Sequence, residues 1–75
     1  MIEVDVHLLA SLEIDRFNNR LIQLEEPATI HSLLEKIELT PWHIGAVYVN
    51  SKASNFEHPL DDGDRVTLMS DIVGG

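Results

Sequence analysis

Residues 60–68 read LDDGDRVTL and combine a tight turn with the beginning of a strand. Aspartate and glycine are favoured in turns, and Gly63 can adopt a positive φ at little steric cost. Val66 and Leu68 then alternate with more polar neighbours, and a period of two indicates a strand with one buried face. This stretch decides the fold, because the topology depends on where the last strand lies in the sheet.

Three further elements are predicted upstream of this strand. Residues 1–8 and 20–25 both alternate polar and apolar side chains, which indicates a hairpin of two strands. Between residues 30 and 37 the apolar side chains recur at i, i+3, i+4 and i+7, the pattern of a helix that packs on a core. Thr29 is placed to cap the start of this helix, and Pro41 is expected to end it.

A third strand is predicted at residues 46–50, followed by a polar loop at residues 51–59. The order strand, strand, helix, strand, strand favours a two-layer α+β domain in which the helix covers one sheet face. If the last strand pairs beside the first at the sheet centre, the fold is a β-grasp with a mixed sheet. We expect a single domain over residues 1–75, with residues 70–75 as a C-terminal tail.

The composition excludes several classes of function. The 75 residues contain no cysteine, which removes disulfides, thiolate metal sites and cysteine nucleophiles. A net charge of −8, with only five Lys and Arg residues, argues against nucleic-acid binding. No apolar run is long enough to span a membrane, and no signal peptide is recognisable, so a cytoplasmic location is expected.

The side chains provide no recognisable catalytic or metal-binding constellation. The four histidines lack metal-ligand spacing, and the serines lack a nucleophile context. Asp61, Asp62 and Asp64 surround a glycine without the distal ligand of a calcium loop, so turn formation is the better explanation. We therefore expect a protein that is not an enzyme and that has no catalytic residues and no metal site.

The chain ends in Gly74–Gly75, and this terminus is the remaining candidate for chemistry. Glycine has no Cβ, so a diglycine tail can enter a channel that excludes side chains and can bring its carboxylate to a bound ATP. Adenylation would turn that carboxylate into an acyl donor for a sulfur or thiol nucleophile. The plain alternative is a frayed chain end, which is common in small domains.

Residues 60–68, together with the terminal Val73–Gly74–Gly75, resemble the MoaD/ThiS family of ubiquitin-like sulfur carrier proteins. The helix beginning at Thr29 and the strand Val47–Asn50 also lie where that family has its counterparts. Two positions depart from the family pattern. Residues 70–72 read SDI where many members have prolines, and Ser51 stands where a glycine is frequent.

The resemblance implies a β-grasp fold and activation by an ATP-dependent adenylating enzyme. Gly75 would be the covalent thiocarboxylate site, Gly74 its neighbour in the channel, and Val73 and Ile72 tail residues held by the partner. No cofactor would be bound stably, since ATP and magnesium would be used by the activating partner. Sulfur would then pass to an acceptor in cofactor biosynthesis. The best specific interpretation is a MoaD-like small subunit of molybdopterin synthase. In that role the chain would form a hetero-oligomer with the sulfur-accepting synthase subunit.

The sheet face opposite the helix is predicted to dock on partners through Tyr48, Arg65, Thr67 and Met69, because exposed apolar groups beside the tail favour an interface. Isolated exposed apolar residues are also normal. Three other functions stay open: a ThiS-like carrier for thiamine thiazole synthesis, a ubiquitin-like modifier conjugated to lysines, and an inert β-grasp interaction module. The MoaD-like and ThiS-like carriers would share the activated tail and differ in the enzyme that accepts the sulfur.

Overall fold

The computed structural model describes residues 1–9 and 18–70 of the chain. Seven strands, one α-helix and a 3-10 turn at Pro41–His43 occur in these residues. The strands and the helix are β1 (Ile2–Leu9), β2 (Asn19–Leu24), β3 (Ala28–Thr29), α1 (Ile30–Lys36), β4 (Ile44–Val49), β5 (Lys52–Ala53), β6 (Pro59–Leu60) and β7 (Arg65–Ser70).

Five of the strands form one mixed sheet in the order β2-β1-β7-β4-β5. Strands β1 and β7 are parallel, with Val6 beside Val66 and Leu8 beside Leu68, and the other neighbours are antiparallel. The last strand therefore lies beside the first at the centre of the sheet. This arrangement confirms the β-grasp prediction, and β3 and β6 add a separate two-stranded sheet.

The core lies between α1 and one face of the five-stranded sheet. Strands β1, β2 and β7 contribute alternate apolar residues to it, as the period of two predicts, and β4 does so after a register irregularity between Ile44 and Ala46. Burial of this face supplies the main driving force for folding. The buried residues are Ile2, Val4, Val6, Leu8, Ile22, Leu24, Ala28, Ile30, Leu33, Leu34, Leu39, Ile44, Val47, Val49, Leu60, Val66 and Leu68.

The helix begins as the sequence indicates. The Ser32 amide donates to the Thr29 hydroxyl over 3.4 Å, and the Thr29 amide donates to the Ser32 hydroxyl over 3.1 Å. This reciprocal pair is a capping box in which serine replaces the usual Glu or Gln, and it satisfies a backbone amide on each side of the helix start. The N-cap prediction is confirmed.

The prediction that Pro41 ends the helix is wrong, because α1 already ends at Lys36. Glu38 takes a φ of 62°, and the amide of Leu39 donates to the carbonyl of Leu34 over 2.9 Å. This is a Schellman ending, in which two apolar residues on either side of the left-handed residue pack together. Leu34 and Leu39 are both buried, so core packing turns the chain before the proline, and Pro41 opens the 3-10 turn instead.

The connections also differ from the sequence prediction in detail. Residues 51–59, predicted as a loop, contain β5 and the beginning of β6, while Phe56 packs half-buried against the core as a local anchor. Asn50, predicted as the last residue of a strand, lies in the turn between β4 and β5. The connection of the predicted hairpin falls largely outside the described residues, and its second strand, predicted from residue 20, begins at Asn19.

Candidate functional site

Strand β7 carries the chain out of the centre of the sheet. Its last residue is Ser70, so the predicted tail boundary at residue 70 is one position early. Ile72, Val73, Gly74 and Gly75 lie outside the described residues, and their roles stay predictions. What the structure does define is the surface from which this terminus departs.

At that end of β7 the flanking strands present apolar side chains. Met69 lies beside Leu9 of β1 in the parallel register and opposite Ala46 of β4 in the antiparallel one. Leu9 is 42% exposed and Met69 36% exposed, and Ala46 is half-buried. Three neighbouring strands therefore form an apolar surface next to Ser70, the residue that we call the root of the tail.

This surface continues along β7 to a further cross-strand pair. Tyr48 of β4 lies opposite Thr67 of β7, and both are half-buried. Side chains opposite each other on antiparallel strands are close neighbours on one sheet face. We name the set Leu9, Ala46, Tyr48, Thr67 and Met69 the docking strip.

The structure thus brings together three of the four residues predicted for partner docking and separates the fourth. Arg65 is exposed at the opposite end of β7, beside Asp5 of β1. Four residues along a strand separate it from Met69, which corresponds to about 13 Å. Arg65 therefore belongs to a polar region and not to the docking strip.

That polar region has a hydrogen-bonded cluster on β1 and β2. The Asn19 side-chain amide donates to Asp5 Oδ1 over 2.6 Å, and His7 Nε2 lies 3.2 Å from Asp5 Oδ2. Hydrogen bonds to the carboxylate lower the pKa of Asp5 below its ordinary value, and the bond from Asn19 contributes most, with that from His7 second. The carboxylate is therefore ionised and occupied by partners within the chain.

The aspartates of the LDDGDRVTL turn are likewise used by the fold. Asp62 Oδ1 accepts from the Glu3 amide over 2.8 Å, and Asp64 Oδ1 accepts from the Asn50 side-chain amide over 2.9 Å. Asp64 Oδ2 also accepts from the Asp61 amide over 2.8 Å, and Gly63 has a φ of 89°. These bonds tie the turn to β1 and to the β4–β5 turn, in agreement with its structural interpretation.

Within residues 1–9 and 18–70, no group of three or more His, Asp or Glu side chains is arranged to hold a metal ion. The same part of the chain has no helix that is long and apolar enough to cross a membrane. An open depression of about 730 Å³ lies between β2 and α1, lined by Glu25, Glu26, Glu35 and Lys36 among others. It is remote from the end of β7, because it lies where Ile2 pairs with Leu24, whereas Leu9 at the other end of β1 pairs with Met69.

Sequence reasoning missed two exposed apolar residues near the tail. Leu9 continues the outward alternation of Glu3, Asp5 and His7, so extending the period of two by one step would have found it. Trp42 is 87% exposed in the 3-10 turn that leads into β4. Its position beside a proline signals a turn, but only the β4–β7 pairing shows that this turn lies near Ser70.

Comparisons with known proteins agree with this architecture. The sequence model of the ThiS family matches residues 7–75. A search of curated proteins gives no match.

Several solved structures share the fold. A Pyrococcus furiosus protein described as molybdopterin converting factor subunit 1 has a TM-score of 0.79 and 21% identity, covering 96% of this chain and all of that one. Small archaeal modifier protein 1 of Haloferax volcanii has a TM-score of 0.76 and 19% identity, over 96% of this chain and 100% of that one. A chain of the complex of subunits 1 and 2 of the molybdopterin-converting factor from Helicobacter pylori has a TM-score of 0.68 and 20% identity, with coverage of 99% and 100%. At such identities these structures establish the fold alone.

Proposed function

Because the chain belongs to the ThiS family of ubiquitin-like sulfur carriers, we propose that it carries sulfur on the carboxyl group of its terminal Gly75. Members of this family are small carrier proteins and not catalysts, as the sequence analysis expected for this chain. The working group would be the chain terminus, and the catalytic groups would belong to the proteins that act on it.

The proposed chemistry has two steps, an adenylyl transfer followed by an acyl transfer. A carboxylate oxygen of Gly75 attacks the α-phosphorus of ATP, which releases pyrophosphate and leaves an acyl adenylate. A sulfide equivalent from a sulfur donor then attacks the activated carbonyl carbon, AMP leaves, and a thiocarboxylate remains. ATP and magnesium would be held by the activating partner.

The observation that carries this proposal is the position of β7. Strand β7 is the central strand of the sheet and ends at Ser70, and the apolar docking strip begins beside Met69, next to this end. Five residues follow in the sequence, and an extended five-residue segment spans up to about 18 Å. That length suits a terminus that enters a partner while the docking strip rests on the partner's surface.

Two kinds of partner follow from the proposal: the adenylating enzyme, and a subunit that accepts the sulfur. A role like that of a molybdopterin synthase small subunit is the specific form that we favour. It is supported by the shared fold of the Pyrococcus furiosus protein and of the Helicobacter pylori complex, in which subunits 1 and 2 bind each other. A carrier for thiazole synthesis would use the same tail with another acceptor. Dependence on ATP favours the cytoplasm as the location.

Intact-mass spectrometry tests the chemistry directly. We expect incubation with an activating enzyme, ATP and a sulfur donor to replace one oxygen of the chain by sulfur. The matched control is a chain lacking Gly74 and Gly75, which should keep its circular dichroism spectrum and gain no sulfur. An unmodified wild-type mass, with an enzyme proven active on another carrier, would contradict the proposal.

Protein conjugation is a second candidate, favoured by the similarity to the Haloferax volcanii modifier protein. After adenylation a lysine amine would attack the Gly75 carbonyl in place of sulfur, AMP would leave, and an isopeptide bond would form. The last trypsin site of this chain follows Arg65, so trypsin-digested cell extracts should then contain lysines that bear residues 66–75, VTLMSDIVGG. An inert interaction module is the third alternative, and it predicts that removal of the last two residues changes neither binding nor biological role.

A further inference from the structure

Trp42 is the one tryptophan of the sequence, and it is 87% exposed. Tryptophan buries a large apolar area when it is covered, and it is enriched among the residues that dominate binding energies at interfaces. An almost fully exposed tryptophan therefore contributes little to the stability of this domain. Its energetic value lies in contact with another molecule.

The chain presents Trp42 from a turn with several constraints. Pro41 fixes its own φ at the first position of the 3-10 turn. The His43 amide donates to the Thr40 carbonyl over 3.0 Å, and the Thr40 amide donates to His43 Nδ1 over 3.3 Å. These bonds close the turn on both sides of Trp42, so little backbone conformational entropy is lost when the side chain is bound.

The turn lies next to the root of the tail. Ile44 is the register partner of Ser70, and Trp42 precedes it by two residues. Two Cα–Cα steps and one interstrand distance place the Trp42 backbone within about 13 Å of Ser70. A protein that encloses residues 71–75 must approach the surface around Ser70 and therefore comes within reach of this side chain.

We propose that Trp42 is an anchor that inserts into an apolar pocket of the activating enzyme while that enzyme holds the C-terminus. The inference rests on the proposed function and adds a contact outside the docking strip. The chain carries a net charge of −8, so we expect the rim of that pocket to be basic. The contact would act on binding and not on the chemical steps, because Trp42 belongs to the folded domain and not to the tail.

The test compares Trp42→Ala with Leu21→Ala in adenylation kinetics, with carrier concentration varied. Leu21 is a matched control, since it is 60% exposed and lies on β2, beside Asp5 at the polar side of the sheet. We expect Trp42→Ala to raise the KM for the carrier at least tenfold with kcat within about twofold, and Trp42→Phe to recover most of the loss. Leu21→Ala should match the wild type.

A second measurement reports on the contact itself. The sole tryptophan is replaced by 5-fluorotryptophan, which gives one fluorine NMR signal that should shift or broaden when the activating enzyme is added. An unchanged KM for Trp42→Ala, or an unchanged fluorine signal at saturating enzyme, would overturn the inference even if sulfur delivery to the acceptor were impaired. Failure of the proposed function is distinguished by the wild-type arm: a wild-type chain that is never adenylated refutes both.

Discussion

The two ends of β7 differ in what their side chains do. At the N-terminal end, Asp62, Asp64 and Asn50 form hydrogen bonds to residues of the same chain. At the C-terminal end, Leu9 and Met69 leave apolar surface exposed. One strand thus links a region that completes the fold to a region that offers surface to other molecules.

The difference has a simple physical basis. A hydrogen bond made within the chain contributes to the folded state of the isolated domain. Exposed apolar surface contributes only when another molecule removes it from water. Substitutions at the polar end should therefore change the free energy of unfolding, and substitutions at the apolar end should change binding.

The largest effect on stability is expected from Asn50→Ala. The Asn50 side chain accepts from the Arg65 amide over 3.0 Å and donates to Asp64, and its φ of 53° suits asparagine better than alanine. Loss of both bonds and the backbone strain should together lower the free energy of unfolding by about 2 to 3 kcal/mol. Urea unfolding measures it, and Asn50→Gly, which relieves the backbone, should lose only about 1 kcal/mol. Equal losses for both variants would exclude backbone strain as a cause.

At the other end, Met69→Asp should weaken binding more than it weakens the fold. Met69 is only partly buried, so we expect the free energy of unfolding to fall by less than about 1 kcal/mol. The affinity for the activating enzyme should fall about tenfold, equivalent to about 1.4 kcal/mol. Leu21→Asp is the control, because it introduces the same charge on β2, beside Asp5 and away from the docking strip. Equal loss of affinity in both variants would mean that the docking strip has no special role.

A gain in stability is expected in the β4–β5 turn. Asn50 and Ser51 have φ values of 53° and 71°, the sign required at both central positions of a type I′ hairpin turn. Ser51→Gly removes the clash of Cβ in that conformation but makes the unfolded chain more flexible. The net effect should be a rise of about 0.5 to 1 kcal/mol in the free energy of unfolding. Thermal unfolding detects it, and a lower melting temperature would contradict it.

The smallest effect concerns Asp5, whose pKa is lowered mainly by the Asn19 hydrogen bond. A carboxyl group with a lower pKa in the folded state stabilises that state above the unfolded pKa of about 4. This contribution disappears as the pH falls through the folded pKa. Asn19→Ala should raise the pKa of Asp5 and shift the acid loss of stability to higher pH. Carboxyl-carbon NMR titration follows Asp5 directly, in the wild type and in Asn19→Ala.

Much of the fold was predictable because its signals are local. The alternation in β1, β2 and β7, the Thr29 cap and the Gly63 turn each depend on residues a few positions apart. The end of α1 was not predictable in the same way. Burial of Leu39 against the core turns the chain at Glu38, whereas the proline further on is the stronger local signal.

The candidate site likewise has features that local sequence signals predict and features that they do not. Alternation alone predicted that Tyr48, Thr67 and Met69 lie on the sheet face opposite the helix, since it identifies the face on which a side chain lies. Arg65 has the same alternation, and only its position along β7 separates it from the docking strip. Leu9 lies at that end through its pairing with Met69, and Trp42 does so because Ile44, two residues further on, pairs with Ser70. The sequence pattern specifies neither pairing.

The sequence by itself determined the class of fold, the inward face of each long strand, and the family to which the terminal diglycine points. Tertiary structure alone decided that β1 and β7 lie side by side in parallel, with Leu9 against Met69 at the root of the tail. The physical reason is the distance along the sequence over which each kind of signal acts. Periodicity and turn chemistry act over a few residues, whereas the pairings that form the docking strip join residues far apart in sequence, with Leu9 and Met69 separated by most of the chain.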